Sequence, residues 1–122
     1  MGMRVIYMAH PVSGDVHRNL AHAQLWYRRI QDVNPLVSLC AHWMVTVWVR
    51  TDEPYTEESY DLHLRWDEAV VARCDGIVLV GGKITRGMAR ERAVIQEAGK
   101  TVYDLTHLGD SPVIVNTKDL IL

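Results

Sequence analysis

An acid set into the apolar stripe of a helix is the residue in this chain best placed to do chemistry. Directly after the apolar run Ile77-Val78-Leu79-Val80 the chain reads GGKITRGMARERAV, from Gly81 to Val94. A helix starting near Arg86 or Gly87 carries Met88, Val94, Ile95 and Ala98 on its inner face, and the same three-and-four spacing puts Glu91 among them. Arg90, Arg92, Gln96 and Glu97 fall on its other sides. A carboxylate buried about one turn into a helix is costly unless it is paired, protonated or used. The open alternatives are an ion pair with a neighbouring arginine and a catalytic or ligand-binding role.

Asp67 is the second such acid. It shares a helical face with Val70, Val71 and Cys74, and with His63 at the other end. Two carboxylates in partly desolvated places can be driven to different pKa values, one ionised as nucleophile or base and the other keeping a proton to donate. Breaking a glycosidic bond requires that division of labour. Asp75 reads instead as a hydrogen-bonding residue at a strand entrance. The six histidines form no H-E-x-x-H spacing. Cys40 and Cys74 end apolar segments without paired spacing, as small buried hydrophobes of a reducing compartment do.

The elements that must position these acids alternate between strand and helix, which predicts a parallel sheet covered on both faces. Val5 to Ala9 is a buried strand stopped by His10-Pro11, since proline cannot donate to a ladder. After the loop Val12–Asp15, Leu20, Ala23, Trp26, Tyr27 and Ile30 recur at helical spacing until Asn34-Pro35. Leu36 to Ala41 is a second strand. Thr56 is a helix N-cap with Glu57 and Glu58 in the first turn, and that helix runs to about Arg73. Gly76 to Val80 is the third strand, Gly87 to Ala98 the next helix with Gly99 as its cap, and Thr101 to Leu105 the fourth strand; Val113 to Val115 could add a fifth. Trp43 to Val49 fits neither period and is either a buried core segment or an aromatic patch for a subunit interface.

The expected architecture is one α/β domain over residues 1–122, a doubly wound, flavodoxin-like three-layer sandwich with a mainly parallel sheet of four to five strands. In such sheets ligands bind beyond the carboxyl ends of the strands. The first loop there brings His10, Ser13 and Gly14; the third brings Gly81, Gly82, Thr85 and Gly87, where a helix N-terminus receives an anionic group. The formal charge of −2 with interspersed signs argues against a nucleic-acid partner. No apolar run reaches the length of a membrane span or a signal peptide, so the expected setting is the cytoplasm.

The ordered set Tyr7-x-Ala9-x-Pro11, Asn19, Asp67 eight positions before Asp75, Gly81-Gly82 and Thr85-x-Gly87-x-x-x-Glu91 resembles the nucleoside 2-deoxyribosyltransferase superfamily. The likeness is closest to its short phage and bacterial members that begin Y-x-A-H-P-x-S-G, and it spans roughly Arg4 to Leu105. The resemblance implies that Glu91 is the nucleophile at the anomeric carbon, that Asp67 handles the proton of the base, that Tyr7 orients the nucleophile and that Thr85 binds the sugar or its phosphate. Ligand contacts are then expected from His10, Pro11, Ser13, Gly14, Asn19, Gly81, Gly82, Thr85, Arg86 and Gly87. The chain departs from the better-known transferases at His10, where they have Gly, and at Thr85, where many have Ser or Asp. Arg86 beside it would welcome a 5'-phosphate.

The implied activity is cleavage or transfer at the N-glycosidic bond of a nucleoside or nucleoside 5'-monophosphate, without cofactor or metal. A non-catalytic nucleotide-binding module using the same crevice is the alternative. The resemblance further implies a homodimer or larger even-numbered homo-oligomer in which a neighbouring subunit closes the site. The tail Ser111 to Leu122 is the candidate for that reach, with Asn116 as its polar contributor.

Overall fold

The computed structural model describes residues 2–122. Four strands, β1 (Arg4–Ala9), β2 (Val37–Cys40), β3 (Gly76–Leu79) and β4 (Thr101–Asp104), form one sheet in the order β2-β1-β3-β4 with every pairing parallel. The helices are α1 (Val16–Val33), α2 (His42–Val49), α3 (Glu57–Val71) and α4 (Arg86–Glu97). The chain steps from β1 to β2 in one direction, then back across β1 to β3 and on to β4. Right-handed crossovers therefore put α1 on one face and α2, α3 and α4 on the other. The result is the doubly wound three-layer sandwich, and its order reverses between β1 and β3, where a crevice opens.

Local chemistry sets the boundaries. Asp15 caps α1, accepting from Arg18 N–H, so the helix begins two residues earlier than its apolar periodicity. Thr56 and Ser59 form a reciprocal capping box at α3, and Thr85 caps α4 by accepting from Met88 N–H. Asp75 accepts from Val5 N–H at 2.8 Å, the strand-entrance role expected of it. The core joins the sheet residues Ile6, Tyr7, Met8, Ile77, Val78 and Leu79 to Trp26 and Ile30 on one side and Met88 and Ile95 on the other.

Three expectations need correcting. Val113–Val115 is not a strand: Arg29 donates to the Pro112 and Val115 carbonyls, so this segment is spent on holding the tail against α1. Asn34 continues the fastening, donating to Leu120 O at 2.8 Å and accepting from Leu122 N–H at 2.8 Å. The segment Trp43–Val49 is helical, α2, and it divides between the two readings, with Trp43 buried in the core and Trp48 73% exposed. Ala98 is exposed and Val94 only half-buried, so the inner stripe of α4 is Gly87, Met88, Glu91 and Ile95.

Candidate active site

The loop after β1, the start of α1, the first turns of α4 with Thr85 before it, and α2, α3 and the loop between them line a cavity of about 390 Å³, within the range of small-molecule sites. Both acids line it: Glu91 from α4 and Asp67 from α3, each about 5% exposed. Glu91 has no ion-pair partner among the described residues, and its Oε2 is buried without a hydrogen bond. Arg90, its neighbour in sequence, pairs instead with Asp61 and Glu68 on α3 at 3.1 and 2.6 Å. Burial pushes the Glu91 carboxyl up to about 8, with Asp67 and Glu68 adding to the rise and the Tyr7 hydroxyl opposing it. Burial likewise raises Asp67, against the lowering effect of its hydrogen bond with His42.

Tyr7 stands behind Glu91. Its oxygen accepts from Trp43 N–H at 3.3 Å, which leaves the phenolic hydrogen for the Glu91 carboxylate. Burial and the nearby charges of Glu91 and Asp67 raise its pKa strongly, so it remains a neutral donor. His10 completes the floor by stacking on Trp43 at 6.2 Å between centroids. Its Nδ1 lies 2.6 Å from Pro11 O, and as a neutral ring it donates there and keeps Nε2 as an acceptor. Burial lowers its pKa to about 4, so it holds that neutral form across the physiological range.

The backbone around these groups is constrained by close approach. Gly81 has φ +103°, and a Cβ there would lie 2.6 Å from Pro11 Cδ and 2.9 Å from His10 Cδ2; only glycine lets the β3 loop pass the β1 loop. Gly87 lets α4 approach α3, since its Cβ would lie 3.1 Å from Leu64 Cδ2. Asn19 donates to the Val12 and Ser13 carbonyls at 3.1 Å each, which fixes the β1 loop from behind.

Of the residues singled out from the sequence, His10, Ser13, Asp67, Thr85, Gly87 and Glu91 line one cavity. Tyr7, Pro11, Asn19 and Gly81 support it from outside. Gly14 and Gly82 occupy turns with φ +96° and +83° beyond its walls. Arg86 faces away, 3.4 Å from Glu57 and 4.7 Å above the Tyr60 ring. Asn116 caps the 3-10 turn Thr117–Leu120 by accepting from Lys118 N–H; it is exposed and lies apart from the cavity of its own chain.

Sequence reasoning missed the far wall. Trp43 and Thr46 from α2 and Arg50 just after it, with Tyr55, Tyr60 and His63 from α3 and the loop before it, line the cavity with Glu91. The signals were the aperiodic, tryptophan-bearing stretch after β2 and the place of His63 on the helical face of Asp67. The fold also brings Cys40 and Cys74 together. Cys74 and the His42 N–H lower the pKa of the Cys40 thiol, while Cys40 and burial push Cys74 up.

Fold and site together define a doubly wound α/β domain with two buried acids in one strand-end cavity. From residue 4 to residue 105 the chain matches the family described as a domain of unknown function (DUF7768), and it belongs to that family. No curated protein and no solved structure matches it. Among the described residues no helix is long and apolar enough to cross a membrane.

Proposed function

We propose that this protein is a nucleoside 2-deoxyribosyltransferase-like enzyme that cleaves or transfers at the N-glycosidic bond of a nucleoside or nucleoside 5'-monophosphate. The observation that carries the reading is the meeting of Glu91 and Asp67 in one cavity, with Tyr7 behind Glu91. N-glycosidic cleavage passes through a cationic, oxocarbenium-like sugar. An ionised Glu91 stabilises that charge and then traps it as a glycosyl ester, while Asp67 protonates the departing base. Water or a second base resolves the ester, with Asp67 taking the incoming proton.

The free cavity favours protonated Glu91 at neutral pH, so the competent state is the minor one with Glu91 ionised and Asp67 protonated. Positive charge growing on the sugar draws Glu91 into that state, and Tyr7 steadies the carboxylate by donating to it. The flat apolar surfaces of Trp43 and Tyr60 suit a base, and His10 Nε2 suits a hydroxyl donor. Incubation with a panel of nucleosides and their 5'-monophosphates, with free base read by chromatography, tests the reading; Glu91→Gln should release none.

A second copy of the chain is the proposed partner. Val45, Trp48 and Val49 of α2 are exposed beside the half-exposed Trp66 of α3, an apolar patch of the kind that subunit interfaces cover, and twofold pairing is the default. The tail is fastened to its own α1, so this patch replaces the tail as the proposed contact. Trp48→Arg should convert the assembly to monomer by light scattering; an unaltered mass would remove the patch from the interface.

A further inference from the structure

Asp67 has a partner outside the cavity. His42, the first residue of α2, places Nδ1 2.8 Å from Asp67 Oδ1. One turn on, Thr46 donates to the His42 carbonyl at 3.3 Å, and its hydroxyl stands 3.5 Å from the same ring nitrogen. His42 does not line the acid cavity. It lines an adjoining groove of about 440 Å³ with Val45, Thr46, Val49 and Trp66, and its side chain is 38% exposed where that of Asp67 is 7% exposed. Asp67 therefore faces the ligand space while a hydrogen bond ties it to an imidazole that lies outside that space.

We infer that His42 is a positioning residue that sets the proton affinity of Asp67 from outside the cavity. The inference rests on the reading of Asp67 as the acid of the reaction. Donation from Nδ1 fixes one carboxyl oxygen and leaves Oδ2 to carry the exchangeable proton. The hydrogen bond from His42 favours the carboxylate, and burial opposes it by raising the proton affinity of Asp67. The device is useful because Glu91 must lose a proton under conditions in which Asp67 keeps one. Other groups bear on the pair. His63 on α3 favours the Asp67 carboxylate and Glu68 the acid, Glu91 on α4 and Tyr7 on β1 interact with Asp67, the Cys40 thiol of β2 lies near His42, and Arg50 shares the outer groove. None of these is hydrogen-bonded to Asp67; His42 is.

His42→Asn keeps an N–H donor near the position of Nδ1 but carries no charge, and His42→Ala removes donor and charge together. The Asp67 carboxyl carbon is followed by NMR titration in the ligand-free wild type and in both variants. The midpoint should move to higher pH in the Asn variant and further in the Ala variant, and the Asn variant alone decides if the Ala variant unfolds. An unmoved midpoint in the Asn variant overturns the inference and leaves His42 a structural bond. The titration needs no turnover, so the two readings separate: a responsive Asp67 in a protein that releases no base sinks the glycosidic reading, and an unresponsive one in an active enzyme sinks the role of His42.

Discussion

Replacing Glu91 by glutamine should stabilise the fold, by an amount that grows with pH. The carboxyl titrates near 4.5 when solvated and near 8 in the folded protein, chiefly because of burial. Below the lower value both folded and unfolded chains hold the proton, and Glu91 adds no pH dependence. Between the two values the unfolded chain releases the proton and the folded chain keeps it. Stability is therefore lost as pH rises through this window, at up to about 1.4 kcal/mol per pH unit. Over the whole window the loss reaches about 3–5 kcal/mol, large against the total stability of a domain this size. Glutamine fills the same space, is neutral throughout and lacks this slope; the remaining titrating groups are common to both proteins and largely cancel in the difference. Denaturant unfolding at a series of pH values should find the two proteins within about 1 kcal/mol at pH 5 and Glu91→Gln more stable by about 3–5 kcal/mol at pH 8.5. A difference that stays flat with pH would refute the reasoning and mean that Glu91 finds a charged partner or water in solution.

Three further outcomes follow from the same geometry. Asp67→Asn should retain ligand binding and slow base release by about 10²–10⁴-fold; loss of the folded state on thermal unfolding would make Asp67 structural instead. In the wild type the pH profile of kcat/KM should bend near pH 8, where the buried Glu91 carboxyl titrates, and a profile with no bend there would take Glu91 out of the nucleophile's place. Gly81→Ala should cost about 1–3 kcal/mol through its positive φ and the clash with Pro11, read by the same unfolding assay, and an unaffected midpoint would mean that the β1 loop moves aside freely.

The sheet was legible because its strands are short apolar runs with clear stops, such as Val5–Ala9 before His10-Pro11, and because three helices carry strong caps or periodicity. Glu91 and Asp67 stood out as charges on faces otherwise apolar. The α2 wall was not legible: this helix has no amphipathic contrast, since Trp43 and Thr46 face inward while Val45, Trp48 and Val49 are equally apolar and face out. The His42–Asp67 bond joins residues on separate helices, and sequence spacing carries no trace of it. Val113–Val115 looked like a strand because it is rich in β-branched residues, but Arg29 takes the carbonyls of Pro112 and Val115 at its two ends and the sheet ends at β4. Arg86 read as a phosphate ligand from its place beside the α4 N-terminus. On that first turn it points outward, where Glu57 and the Tyr60 ring hold it.

The most direct measurement is the mass of the protein quenched during incubation with those nucleosides and nucleotides that lose their base. The account predicts free base in solution and a sugar-sized adduct on the peptide containing Glu91, both missing in Glu91→Gln. Failure of every nucleoside and nucleotide to lose its base, or base release that persists in Glu91→Gln without an adduct, would contradict it.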